Sequence, residues 1–387
     1  MLDFYHNKLS NSFERFFNSE KSSSIALIFC TVVALLLANS SLNDNYLALW
    51  HYQLLGLTLE QWVNDGLMAI FFLLIGLELE RELYVGELAN FNTALLPVIA
   101  ALGGAMVPIL IHSMFNYGTP YQVGAAIPMA TDIAFALGVL ALLGSKIPLA
   151  LKVFITALAV IDDLLGIITI AVFYTNTINI TYLLISISIF ILLVLLNYRL
   201  RLMILWPYLL CGVFIWIFMH HSGVHSTIAG VLLAFAIPFT HKIEDQHSPS
   251  HRLEHALHFP VAFIILPLFA LANTGIVLSS NWIQELQITN SIGIIAGLVV
   301  GKPLGITLCT LVAIKSGICK LPNKINLLHI IGAGILGGIG YTMSIFITNL
   351  SFDNAAIINS SKMAILFASL LSGCLGFLWL RWVVSKE

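Results

Sequence analysis

Twelve stretches of about 20 predominantly apolar residues occupy most of the chain, and that is the length a helix needs to cross the hydrocarbon core of a bilayer. They run from roughly 22 to 41, 62 to 82, 94 to 115, 121 to 143, 149 to 175, 181 to 198, 202 to 219, 223 to 239, 256 to 279, 292 to 314, 327 to 349 and 361 to 384. The connections between them are short, so the expected architecture is an all-α polytopic membrane protein without a separate soluble domain. Only 9% of the 387 residues are charged, against about 25% in a soluble domain. A water-facing shell cannot be built from that inventory, and the 59% apolar content excludes disorder. The net charge of -2 points to no nucleic-acid partner. The five cysteines are scattered, odd in number and without a C-x-x-C pair, which indicates neither a disulfide framework nor a thiolate metal site.

Lys and Arg concentrate in the cytoplasmic connections of membrane proteins. Here the N-terminus carries Lys8, Arg15 and Lys21. Alternate connections carry Arg81, then Lys146 and Lys152, Arg199 and Arg201, Lys242 and Arg252, and Lys315, Lys320 and Lys324; the C-terminus carries Arg381 and Lys386. Fifteen of the seventeen basic residues thus share one side, the opposite connections hold only Lys362, and Lys302 lies within a span. Both termini are therefore expected in the cytoplasm. Lys21 ahead of an apolar run, with small residues at Ala38 to Ser41, also suits a signal peptide, but the alternation of charge requires this span to stay. The longer outer loop, Asn43 to Gln61, mixes Tyr46, Trp50, Tyr52 and Leu54 with turn residues. It suits either an interfacial aromatic belt or a small hairpin used in homodimerisation.

Ionisable residues within spans cost about 2.5 kcal/mol or more each and mark functional sites. The fourth span has its midpoint at Asp132, the fifth at Asp162 with Asp163 beside it, and the tenth next to Lys302. Three carboxylates and one ammonium are thus expected at one depth. Neighbouring helical residues point about 100° apart, so Asp162 and Asp163 should differ in role. One can pair with Lys302, offsetting the desolvation of both. The other is then free to bind a proton or a hard cation through oxygen, in competition.

The backbone signals converge on the same places. Pro128 in Ile127-Pro128-Met129-Ala130-Thr131-Asp132 interrupts the helical ladder, and Thr131 or Asp132 suits the N-cap of a half-helix beginning near Ile133. The eleventh span contains Gly332, Gly334, Gly337, Gly338 and Gly340. Both spans read as interrupted helices of opposite direction, each the middle member of a triplet, approximately 94–175 and 292–384. That is the pattern of an inverted repeat with discontinuous helices crossing at a midplane ion site.

At these residues the sequence resembles the NhaA-type bacterial sodium/proton antiporters, over essentially its whole length; that family is itself a type example of the interrupted-helix pattern just described. The motifs are Asn64-Asp65-Gly66-Leu67-Met68-Ala69 followed by Gly76-Leu77-Glu78, Ala130-Thr131-Asp132-Ile133-Ala134-Phe135, Ile161-Asp162-Asp163-Leu164, Ser222-Gly223-Val224-His225, Leu266-Pro267-Leu268-Phe269-Ala270, Gly301-Lys302-Pro303-Leu304-Gly305 and Gly340-Tyr341-Thr342-Met343-Ser344. The resemblance implies twelve helices in two bundles in the bacterial inner membrane. It implies exchange of Na⁺ and Li⁺ for H⁺, with no cofactor and no enzymatic chemistry. Asp163 would be the main cation and proton ligand and Asp162 the carboxylate paired with Lys302. Thr131 and Asp132 would belong to the helix crossing, with Asp132 facing half-helix N-termini and Lys302 the opposing C-termini, each compensating partial charge of opposite sign. One departure stands out: the family usually reads Asp-Asp-Leu-Gly, whereas Asp163 is followed by Leu164-Leu165-Gly166.

The family regulates its activity by pH. Glu78, Arg81 and Glu82 end the second span, and Glu254, His255 and His258 open the ninth, both on the cytoplasmic side by the charge-derived orientation. Together they form a candidate pH device, although each alone suits a solvated helix end. His225, at the start of the eighth span, is either pH-responsive or a plain helix-end histidine. Asp65 suits both a helix N-cap before Gly66 and the outer ion path.

Three other readings fit less well. His251-Arg252-Leu253-Glu254-His255 matches the zinc-peptidase string H-x-x-E-H, in a loop too small for a peptidase and without a third ligand. Asp132 and Asp163 on separate spans suit an intramembrane aspartyl protease, but they lack a Gly-x-Gly-Asp context and leave Lys302 without a role. A passive cation channel is the remaining alternative, less suited to a broken-helix site with one tight carboxylate.

Overall fold

The fold is described from a computed structural model over residues 21–175, 178–200, 202–240, 248–278, 281–322 and 324–386. Four of the orienting basic residues, Lys8, Arg15, Arg201 and Lys242, lie outside the described residues. Along the chain, α1 (Lys21–Ala38) leads through α2 (Asn43–Trp50) and a hairpin of two-residue strands, β1 (Gln53–Leu54) and β2 (Leu57–Thr58), to α3 (Leu59–Tyr84) and α4 (Phe91–Asn116). A 3₁₀ helix over Pro120–Met129 then bends by 42° into α5 (Ile133–Leu142). The helices α6 (Leu149–Phe173), α7 (Ile180–Leu200), α8 (Trp206–Ser222), α9 (Ile228–Ala236) and α10 (Pro249–Asn273) follow. After α11 (Trp282–Leu286) and α12 (Thr289–Lys315), α13 (Leu327–Gly337) bends by 44° into α14 (Tyr341–Ser351), and α15 (Ala355–Ser385) is the last described helix.

Eight helices are individually long and apolar enough to cross a membrane, and the two bent pairs bring the number to ten among the described residues. The protein is a polytopic all-α membrane protein. The seventh and eighth expected spans are realised as shorter helices, α8 with 17 residues and α9 with 9. The ends are set locally. The first of them begins only at Trp206, with Pro207 in its first turn, and Gly223 at φ +82° terminates it three residues past the expected end, in the left-handed conformation that glycine adopts at low cost. The second begins at Ile228 and stops at Ala236, where Ile237 is extended because the following Pro238 disfavours helical geometry before it.

Thr58 caps α3 reciprocally: its side chain accepts from the Gln61 N–H at 3.1 Å while the Gln61 side chain accepts from the Thr58 N–H at 2.9 Å. The hairpin before it turns through Leu55 and Gly56, at φ 53° and 87°, as a two-residue loop with both φ values positive requires.

The chain divides into two compact units, one of Met1–Leu36, Leu96–Asp162 and Ile276–Glu387, the other of Leu37–Leu95 and Asp163–Gly275. In a bilayer, helix association rests on close packing of small residues more than on burial from water. In the first unit a methyl on Gly332 would lie 2.7 Å from Leu380 Cγ, so α13 and α15 approach closely, and the Trp379 indole donates to the Leu328 carbonyl at 2.9 Å. In the second unit Gly76 of α3 abuts Ala234 of α9, beside a core that includes Leu73, Leu77, Tyr208, Leu233 and Leu253. Only 11% of the apolar window of α7 is buried, which leaves Leu184, Ile191 and Leu195 on a face suited to lipid.

Candidate ion-coupling site

Both helix interruptions belong to the first unit, and they are joined by hydrogen bonds. Ala130 is extended after the Pro128-containing 3₁₀ helix, and Asp132 caps the N-terminus of α5, its Oδ1 accepting from the Phe135 N–H at 3.1 Å. Its Oδ2 accepts from the N–H and the hydroxyl of Thr342, at 3.0 Å and 2.5 Å, in the first turn of α14. One carboxylate therefore serves two helix N-termini, each carrying roughly half a positive charge. The Asp132 N–H donates to the Ile339 carbonyl at 2.6 Å. Thr131, which is not the cap, donates its hydroxyl to the Gly337 carbonyl at 2.9 Å.

The opposite polarity faces Lys302. This residue follows a π-helical turn over Gly297–Gly301 within α12, and its side chain is fully buried. The ammonium donates to the carbonyl of Met129, the last residue of the 3₁₀ helix, and to Asp162 Oδ2 at 2.6 Å. Asp162 Oδ1 has no hydrogen-bond partner among the described residues. Isolated charges buried in this way would each cost several kcal/mol, and mutual pairing offsets that cost. Asp163, next in sequence and 4% exposed, begins the part of α6 that belongs to the second unit.

Within the second unit, Arg81 lies in the last turn of α3, with Nε 3.2 Å from Glu254 Oε1 and Nη2 3.4 Å from Glu82 Oε1. Glu78 and His258 lie within electrostatic reach of Arg81, and His255 within reach of Glu254. The helix bearing Glu254 starts at Pro249, so Glu254, His255 and His258 occupy its first three turns. Asp65 is not a helix cap, because α3 starts at Leu59 and Asp65 sits in the π-helical turn Trp62–Leu67. Its Oδ2 lies 3.9 Å from His220 Nδ1. His225 lies in the turn before α9 and donates from Nε2 to the Tyr174 carbonyl at 2.5 Å.

Three polar features escaped the sequence reading. Thr342 doubles the hold on Asp132. Glu80, 6% exposed, accepts from the Ser250 hydroxyl at 3.3 Å; its spacing from Leu73 and Leu77, on one helical face, was the available signal. His112, fully buried, donates from Nε2 to Asn290 Oδ1 at 3.1 Å, and Asn290 donates to Ser361 at 2.7 Å.

An apolar helical bundle in which two interrupted helices meet over a buried carboxylate, beside a buried ion pair, has the construction of an ion-coupled membrane transporter. The sequence model of a family described as Na+/H+ antiporter 1 matches residues 14–380. The Na(+)/H(+) antiporter NhaA of Dechloromonas aromatica is 63% identical over 381 residues, covering 98% of each chain. The proteins of the same name from Flavobacterium psychrophilum and Cytophaga hutchinsonii are 57% and 56% identical over 379 residues, covering 98% of this chain and 98% and 97% of theirs. The chain belongs to the Na+/H+ antiporter 1 family.

Proposed function

We propose that the protein is a secondary active transporter that exchanges Na⁺, and also Li⁺, for H⁺ across the bacterial inner membrane, with both termini in the cytoplasm. The observation that carries this reading is the buried Lys302–Asp162 pair at 2.6 Å, with a second buried carboxylate, Asp163, adjoining it in sequence. The relatives' names support Na⁺ and H⁺ as the exchanged ions. A cation entering the site displaces a proton from Asp163 and opens the pair between Asp162 and Lys302, which releases a second proton from one of these coupled groups. Reorientation exposes the site to the other side, where protons reload it. Two protons per cation make the exchange electrogenic and let the membrane potential drive it.

The cluster of Glu78, Arg81, Glu82, Glu254, His255 and His258 serves as the pH regulator, since histidines and clustered glutamates change charge near physiological pH. His225 contributes to pH response, Asp65 belongs to the outer ion path, and the loop at 43–61 serves a homodimer contact. Residues 94–175 and 292–384 form an inverted repeat. The test is made in inside-out vesicles carrying a proton gradient. Added Na⁺ collapses the gradient with the natural chain and leaves it intact with Asp163→Asn; unaffected exchange by that variant would sink the site assignment, and Na⁺ flux without proton movement would establish a channel instead.

A further inference from the structure

The aliphatic stem of Lys302 is bordered by two glycines from different helices. A methyl on Gly337, the last residue of α13, would lie 3.5 Å from Lys302 Cγ and 3.8 Å from Cε. One on Gly104, inside α4, would lie 3.8 Å from Cε. Neither glycine has a positive φ, so backbone conformation does not demand it, and within a helix glycine costs about 1 kcal/mol relative to alanine. Space is the remaining reason. Part of that space accommodates Ile306, one turn beyond Lys302, whose Cδ1 would lie 3.0 Å from the methyl on Gly337 and whose Cγ1 would lie 2.7 Å from that on Gly104. The Lys302 contacts are of a different kind: at 3.5 to 3.8 Å a methyl would touch the stem without overlapping it. A lysine that stays in one rotamer tolerates such neighbours, because its stem packs as a hydrocarbon. A lysine that must change rotamer in an interior packed as densely as a crystal does not.

We propose that Gly104 and Gly337 are positioning residues for the exchange reaction, keeping a clearance into which the Lys302 side chain swings when a cation opens its pair with Asp162. This rests on the exchange reading above and adds the requirement that Lys302 moves. The glycines act on the ease of opening the pair. Their loss therefore appears in the apparent affinity for the cation before it appears in saturated turnover.

The experiment measures Na⁺-dependent proton movement in inside-out vesicles and thermal unfolding of the purified chain. It compares Ile306→Val, which trims the crowded atom, with the same chain carrying Gly337→Ala. A second pair, Ile306→Ala with and without Gly104→Ala, repeats the comparison for the other helix. The expected result is an apparent KM for Na⁺ raised by about three- to tenfold in each glycine variant, with turnover at saturating Na⁺ within about twofold and an unfolding temperature no lower than that of the trimmed parent. Unchanged KM in both pairs, or lost folding despite the trimmed Ile306, assigns the glycines to helix packing and overturns the proposal. Absence of Na⁺-driven proton movement already in the natural chain is a different failure: it removes the exchange reading itself, and the proposal with it.

Discussion

Lys302 and Asp162 form a salt bridge of 2.6 Å in which neither side chain has any solvent exposure. Such a pair is costly to break from one side only. Lys302→Ala, which leaves the carboxylate buried without its counter-charge, is expected to destabilise the protein by about 3–5 kcal/mol. Combining Lys302→Met with Asp162→Asn removes both charges and is expected to recover most of that loss without recovering exchange. Thermal unfolding in detergent, alongside vesicle transport, tests this; a double variant as unstable as the single one would show that charge pairing is not the cause.

The three bonds to Asp132 set an order among variants at the crossing. Asp132→Ala removes the cap of α5 and the hold on α14 together. At about 0.5–2 kcal/mol per cap, the expected cost is about 1–4 kcal/mol. Thr342→Val retains the Thr342 N–H donor and loses only the hydroxyl, so the expected cost is smaller, about 1.5 kcal/mol. Unfolding temperatures should rank natural chain, Thr342→Val, Asp132→Ala, and the reverse order of the two variants contradicts this account.

Glu254→Gln removes the partner of Arg81 at 3.2 Å. The pair is half-buried, the Arg81 side chain 42% and that of Glu254 11% exposed, so it is worth about 1 kcal/mol, the upper end for exposed pairs. One pH unit corresponds to about 1.4 kcal/mol. The activity profile is therefore expected to move along the pH axis by less than one unit while keeping its height. Exchange rates across a pH series measure it, and a profile that stays in place removes the cluster from the regulatory proposal.

Two glycines of the second unit should behave oppositely. A methyl on Gly76 would lie 2.6 Å from Ala234 Cβ and 3.4 Å from the Val231 Cα, whereas one on Gly166 meets nothing within 4 Å. Gly76→Leu is expected to cost about 1–3 kcal/mol or more through overpacking and to reduce the yield of monodisperse protein. Gly166→Ala, inside α6, should keep the yield and stabilise the fold by up to about 1 kcal/mol, the cost of glycine relative to alanine within a helix. Size-exclusion profiles of the two variants make the comparison.

The spans and both helix interruptions were legible because their signals are local. Pro128 removes a donor, Asp132 supplies a cap, and a run of glycines around Gly338 weakens the helix at that point. The carboxylates and Lys302 stood out because almost no other charge lies within a span. What local pattern could not supply was length after a turn. The apolar runs on either side of Ser222-Gly223-Val224-His225 are each long enough for a full span, yet α8 begins only at Trp206 and α9 spans only Ile228–Ala236, ended ahead of Pro238. The Glu80–Ser250 contact, and the line from His112 through Asn290 to Ser361, join residues more than 70 positions apart, and no single segment announces such a pairing. Thr342 belongs to the run Gly340-Tyr341-Thr342-Met343-Ser344, but its bond to Asp132 exists only once the two interruptions meet.

The hydrogen bonds between those interruptions, from Thr131 to Gly337, from Asp132 to Ile339 and from Thr342 to Asp132, work as a rivet through two bent rods. Four half-helices are pinned at one spot, so none can tilt without loading the other three. Through its bond to the Met129 carbonyl, Lys302 ties its ion pair with Asp162 to this same joint. Ion pair and helix crossing are thus one connected framework rather than two neighbouring features.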